Sequence, residues 1–242
     1  MPVRNIVTKT SNILLSPLGL ELCSKAALEH SQGFSNYLRE AAAIGMDVND
    51  WLDMKYETTA TLPFLEREIL AHLSEQSVIC EIGPGTGRQS RHIAPRVKRL
   101  YLADIDPWSV AFLNTYFAKM PHVTAHRTSN CRLQFISDAT CDAVLAFTVF
   151  STLSLGEIYR YLEEFARILR PGGLVGIDYN DPDLEGAIDY IKSHPKDTYS
   201  IYHTANTIDR LFNLCSFSVT RVIACKMSNF VFGVRQQAPP NG

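Results

Sequence analysis

The chain has 242 residues, 46% of them hydrophobic and 20% charged, with a formal net charge of -2. That apolar fraction supports a sizeable core and excludes disorder over most of the length. The charge balance gives no footprint for nucleic acid, and the basic residues Arg88, Arg91, Arg96, Lys98 and Arg99 read as the solvated face of one predicted helix. The cysteines Cys23, Cys80, Cys131, Cys141, Cys215 and Cys225 include no CxxC pair, and several fall in apolar runs. Reduced thiols are therefore expected rather than a disulfide framework. No basic-plus-apolar leader and no bilayer-length apolar stretch is present, so a cytoplasmic chain with no membrane partner is expected.

Residues 1–20 carry no stable pattern. Residues 21–44 read as mostly helical, with Gly33 placed to divide them, and Asp47-Val48-Asn49-Asp50 reads as a turn or helix start. Residues 1–60 together read as an N-terminal helical extension or substrate cover. Leu62, Leu65, Ile69, Leu70 and Leu73 recur at helical spacing over 61–73, with Pro63 in the first turn. Strands are then expected near 77–82, 99–104, 122–126, 142–147 and 173–178, with helices near 87–95, 107–119 and 156–169. Leu169-Arg170-Pro171-Gly172-Gly173 is a stop-and-turn signal. Right-handed crossovers would gather the binding loops at the carboxyl edge of a mostly parallel sheet. Pro182 and Pro195 interrupt any long helix in 179–203. A helix near 205–215 and an antiparallel pair, 217–225 and 228–235, complete a main domain of residues 61–236, followed by a loose tail at 237–242.

The most informative run is Val78-Ile79-Cys80-Glu81-Ile82 leading into Gly83-Pro84-Gly85-Thr86-Gly87. Glycine allows backbone geometries and a close ligand approach that a Cβ would obstruct. Asp104 follows one helix later, at the end of the second strand, where a carboxylate suits paired sugar hydroxyls. Ile105 and Trp108 suit the cover of an adenine ring. A nicotinamide dinucleotide also uses a glycine turn and a carboxylate. Glu81, however, favours a cationic cofactor and gives a diphosphate no electrostatic help.

Glu81 through Gly87, Asp104-Ile105-Asp106, Cys141-Asp142-Ala143-Val144-Leu145-Ala146 and Leu169-Arg170-Pro171-Gly172-Gly173-Leu174 together resemble class I S-adenosylmethionine-dependent methyltransferases, over about residues 60–178. The resemblance implies an α/β, Rossmann-like, seven-stranded mixed sheet flanked by helices, here with an N-terminal helical cover, and S-adenosyl-L-methionine as cofactor. It implies that Glu81, Gly83, Gly85, Thr86 and Gly87 surround the methionine portion, that Asp104 holds the ribose and that Ile105 flanks adenine. Asn130 and Cys131 stand where such enzymes often read the adenine edge with an acidic residue. Asn130 departs from that pattern and is either a base contact or a loop cap. Phe147 is either a methionine or sulfonium contact or part of the core.

Methyl transfer needs an aligned acceptor lone pair, and positioning supplies much of the rate. A hydroxyl acceptor also needs a nearby base. Asp178 is the carboxylate best placed for this, with Tyr179 and Asn180 suited to position the acceptor; the alternative is a capped polar turn. His203 is the leading imidazole base, or else a helix-junction residue. Tyr37, Trp51 and Tyr56 give the N-terminal cover amphipathic rings that suit substrate contact or packing. No metal-ligand spacing appears, and a metal-independent reaction is expected. The reading is methyl transfer to oxygen or nitrogen of a small metabolite or biosynthetic intermediate, with no nucleic-acid partner. An NAD-dependent oxidoreductase and a noncatalytic S-adenosylmethionine-binding protein are the alternatives.

Overall fold

Runs buried on both faces, as in Val78–Ile82, suit parallel strands covered by helices on either side. The computed structural model describes residues 35–55, 61–197 and 199–237, and the backbone of three strands within residues 7–23. These are β1 (Val7–Thr8), β2 (Ser11–Ser16) and β3 (Gly19–Cys23), paired antiparallel in that order. No pattern in residues 1–20 announces this small sheet, and residues 21–23 lie in β3 rather than in the expected helix. The helical expectation holds over residues 35–43, here α1.

There follow α2 (Val48–Lys55), α3 (Thr61–Glu68), β4 (Val78–Ile82), α4 (Ser90–Ile93), β5 (Arg99–Asp104), α5 (Pro107–Tyr116), β6 (Val123–Arg127) and β7 (Cys141–Ala146). The remainder is α6 (Leu155–Ile168), β8 (Leu169–Asn180), α7 (Glu185–Ser193), α8 (Ala205–Leu214), β9 (Phe217–Ala224) and β10 (Ser228–Arg235). The large sheet has seven strands in the order β6-β5-β4-β7-β8-β10-β9. β6, β5, β4, β7 and β8 run parallel, while β10 is antiparallel to both its neighbours. The chain leaves β4 first towards β5 and β6, then returns past it to β7 and β8. A crevice therefore opens at the carboxyl end of β4, where the strand order reverses.

Three local differences from the sequence reading have clear causes. α4 begins only at Ser90, because Gly85 (φ +55°) and Gly87 (φ +80°) hold the preceding chain in turns. β8 starts four residues early: its register with β7 passes from Cys141↔Leu169 to Ala143↔Leu174, so the Pro-Gly-Gly signal produces a bulge inside the strand. α7 fits between Pro182 and Pro195 rather than being broken by either.

Side chains alternate across the sheet. Ile82, Ala146, Ile177 and Tyr179 face α6 and α8, packing with Phe165 and Phe212. Ile79, Leu102, Leu145, Phe230 and Phe232 face the other way, with Leu65 of α3 and Leu113 of α5. Glu81, Asp104 and Asp178 share the parity of this second face. Cys80, Cys131, Cys141, Cys215 and Cys225 are free thiols. Among the described residues, no helix is long and apolar enough to cross a membrane.

Candidate cofactor and acceptor site

The site begins where β4 runs out. Gly83 turns with φ +61°, and a Cβ there would overlap Val149. Its N–H donates to Ala103 O at 2.8 Å, bending the loop towards β5. The Gly85 N–H donates to Asp104 Oδ2 at 3.2 Å, and Asp104 Oδ1 accepts from the Asp106 N–H at 2.9 Å. Asp106 in turn caps α5, accepting from the Trp108 N–H at 3.1 Å. The loop, the end of β5 and the start of α5 are thus tied through two carboxylates. Beside them Ile105 is 46% and Trp108 67% exposed, apolar surface suited to a nucleobase.

Glu81 is 1% exposed, and its Oε2 accepts from Ser90 Oγ at 2.6 Å. Burial, reinforced by the charge of Asp104, lifts its carboxyl to about 7 against the opposing pull of the Ser90 bond. Thr86 faces the other way, into α2. Its Oγ1 donates to Asn49 Oδ1 at 2.6 Å, while Asn49 Nδ2 donates to Thr86 O at 3.0 Å. Arg88 pairs with Asp53 at 2.6 Å, and Arg91 with Asp50 at 2.6 Å and Asp53 at 2.5 Å. These two arginines therefore dock α2 rather than forming a solvated face. Neither Asn49 nor Ser90 carries a sequence signal, since each acts on a residue outside its own element.

The other candidates divide. Asn130 and Cys131 occupy a tight turn with φ +51° and +62°, closed by the Arg132 N–H on Ser129 O at 3.0 Å. The side chain of Asn130 is exposed and available, whereas that of Cys131 turns into the core. Trp51 packs with Ala41, Val48 and Leu52, and its ring lies 5.9 Å from Tyr37. Trp51 thus packs α1 against α2. Tyr56 lies outside the described residues.

At the far side of the crevice, Phe147 is half-buried, with its ring 5.6 Å from Phe230. Thr148 (φ +57°) donates its N–H to Asp178 Oδ1 at 2.6 Å. Asp178 is half-buried, and desolvation raises it to about 6 despite that bond. Tyr179 points to the opposite face and is 1% exposed, its hydroxyl accepting from Asn229 Nδ2 at 3.3 Å. Asn180 is buried, and its carbonyl accepts from the His203 N–H at 2.9 Å. Strand alternation thus turns the Tyr179 side chain away from Asp178, whereas Asn180 shares the Asp178 face and is withdrawn only by burial. His203 is buried, and its Nε2 donates to Leu153 O at 2.9 Å, leaving only Nδ1 for a base.

The pairings Ile82↔Ala103, Ile82↔Ala146, Ala146↔Ile177 and Asp178↔Phe230 carry one row along the carboxyl edge: Asp104, Gly83, Phe147, Asp178 and Phe230. Asp104 and Asp178 stand three strands apart, about 14 Å. The residues fit S-adenosylmethionine: a glycine turn beside a carboxylate, an exposed apolar pair for adenine, and acidic rather than basic groups for a cationic ligand.

Residues 79–173 match a family model described as a methyltransferase domain. No curated protein sequence matches the chain. Among solved structures, a magnesium protoporphyrin IX methyltransferase from Synechocystis with bound S-adenosylhomocysteine is similar at TM-score 0.63 and 17% identity, over 86% of this chain and 96% of that one. A complex from Haloferax volcanii between the Trm112 methyltransferase activator and a candidate methyltransferase gives TM-score 0.62 and 15% identity, over 79% and 97%. A geranyl diphosphate C-methyltransferase from Streptomyces coelicolor, also with S-adenosylhomocysteine, gives 0.59 and 11%, over 73% and 76%. The likenesses establish the fold, and the family match contains the glycine loop and Asp104. On these grounds the chain has the Rossmann-like methyltransferase fold, and its residues 79–173 match a methyltransferase domain.

Proposed function

We propose that the enzyme methylates an oxygen or nitrogen of a small metabolite or biosynthetic intermediate. The observation that carries this is the row from Asp104 to Asp178, which sets one buried and one half-buried carboxylate on one face of the sheet. S-adenosylmethionine supplies an electrophilic methyl group on a sulfonium. Asp104 holds the ribose hydroxyls, Glu81 and the glycine loop hold the methionine portion, and Ile105 and Asn130 meet the adenine. Phe147 lines the path to Asp178, which orients the acceptor and takes its proton. His203 would serve as a base only through Nδ1.

Residues 1–60 act in this reading as a cover that excludes water, residues 61–236 as the catalytic domain and 237–242 as a tail. The free thiols support residence in a reducing cytoplasm. The small-molecule names of the Synechocystis and Streptomyces enzymes support a small acceptor. The Haloferax complex favours a second reading, in which an activator protein docks on the domain and the acceptor is larger.

Calorimetric titration with S-adenosylmethionine, S-adenosylhomocysteine and NAD tests the assignment. Saturable binding of the first two alone is expected; NAD-selective binding would move the search to redox substrates. Asp104→Ala should weaken S-adenosylmethionine at least about tenfold, or 1.4 kcal/mol, with the fold kept. Unchanged affinity would remove Asp104 from the ribose.

A further inference from the structure

Asp178 is unlike the other carboxylates at this edge. Glu81 is held by Ser90, and Asp104 by two backbone N–H groups. Asp178 receives one N–H, from Thr148, on Oδ1. No lysine, arginine or histidine among the described residues pairs with it. The Cys225 thiol feels this carboxylate: burial, and then the Asp178 charge, push it up.

Its surroundings are aromatic. Phe230 stands directly opposite on β10, with ring centroids 5.6 Å from Phe147, 5.1 Å from Phe64 and 4.9 Å from Phe232. One step down the same face, Gly176 has no side chain; a Cβ there would lie 3.1 Å from Phe230 and 3.3 Å from Phe232. The rings therefore lie against the strand itself, forming a wall below and beside the carboxylate. Phe147 keeps part of its ring exposed. A carboxylate without a countercharge in apolar surroundings gains most from a ligand that brings one. Aromatic faces attract cations for the same electrostatic reason.

We propose that the acceptor is an amine that arrives as an ammonium ion, held by Asp178 against Phe147 and the Phe230 wall. This rests on the reading of the carboxyl edge as a methyl-transfer site. The bound ammonium gives its proton to Asp178, which passes it to solvent. The freed nitrogen lone pair then forms the N–C bond as the C–S bond breaks, its electron pair staying on sulfur. Positive charge passes from sulfur to nitrogen, towards Asp178, so the carboxylate stabilises the charge that develops. An alcohol brings no charge to the site and leaves Asp178 uncompensated.

The test uses the full chain saturated with S-adenosylhomocysteine, titrated calorimetrically with choline and with its uncharged isostere, 3,3-dimethylbutan-1-ol. Both carry a hydroxyl, so only the charge differs. Choline should bind at least about tenfold more tightly. Asp178→Asn should abolish that preference with S-adenosylhomocysteine affinity retained, and Phe147→Leu should narrow it. Equal affinity for the two probes, no choline binding, or selectivity that survives Asp178→Asn would each overturn the inference. The wild-type comparison decides it without a variant. A wild-type chain that fails to bind S-adenosylhomocysteine overturns the underlying reading and this one with it.

Discussion

Glu81 shows how a single buried side chain can make stability depend on pH. Its carboxyl is lifted from an ordinary 4.5 to about 7, so the native state binds its proton more tightly than the unfolded chain does. That stabilising effect is complete below pH 4.5 and is lost as the pH climbs through 7. Glu81→Gln should therefore be more stable than the wild type at pH 8, by up to about 3 kcal/mol, and lose the advantage near pH 4.5. Urea melts at the two pH values measure this; equal stability at pH 8 would mean that the charge is compensated in place. The residues whose placement was legible in advance were those at strand ends, Glu81 and Asp104 above all. The orientations of Cys131 and Tyr179 were not legible, because being next to a candidate says nothing about facing the same way. Two successive positive φ values turn Cys131 inward from Asn130, and strand alternation sends Tyr179 to the face opposite Asp178.

At the level of elements, α2 is coupled to the glycine loop by the paired Asn49–Thr86 bonds, both deeply buried. Deleting one partner leaves the other's polar atoms unpaired, which costs about 1–3 kcal/mol. Asn49→Ala and Thr86→Val should each weaken S-adenosylmethionine binding, and the double variant should be little worse than either. A calorimetric double-mutant cycle should give a coupling above about 0.5 kcal/mol. Additive losses would show that α2 rests on the loop without shaping it. The helix start was readable: Asp47 Oδ1 accepts from the N–H groups of Asn49 at 2.8 Å and Asp50 at 3.3 Å. The contact with Thr86 was not, because it joins residues 37 positions apart. The parallel strands were legible because apolar runs between turn signals have few other fates. The bulge in β8 was not, since a Pro-Gly-Gly turn and a Pro-Gly-Gly bulge share one local signature.

For the whole molecule, the alternation of strands and helices was enough to anticipate the seven-stranded sheet, while the β1-β2-β3 sheet arises where no periodicity marks it. A ligand that binds only the native chain raises its stability by mass action. At a hundred times its Kd, S-adenosylhomocysteine should add about 2.7 kcal/mol and raise Tm by about 5–10 °C. Scanning calorimetry with NAD in parallel should show no shift; a shift with NAD alone would contradict the cofactor assignment. The position of β10 also orders events during synthesis. It lies between β8 and β9, so the edge strand β9 joins the sheet only through a strand translated after it. The glycine loop and Asp104 leave the ribosome more than a hundred residues ahead of Phe230, roughly 6–25 seconds at ordinary elongation rates. A nascent chain at that stage carries the glycine loop and Asp104 but not the Phe230 wall, so translation itself delivers the two ends of the carboxyl-edge row in a fixed order.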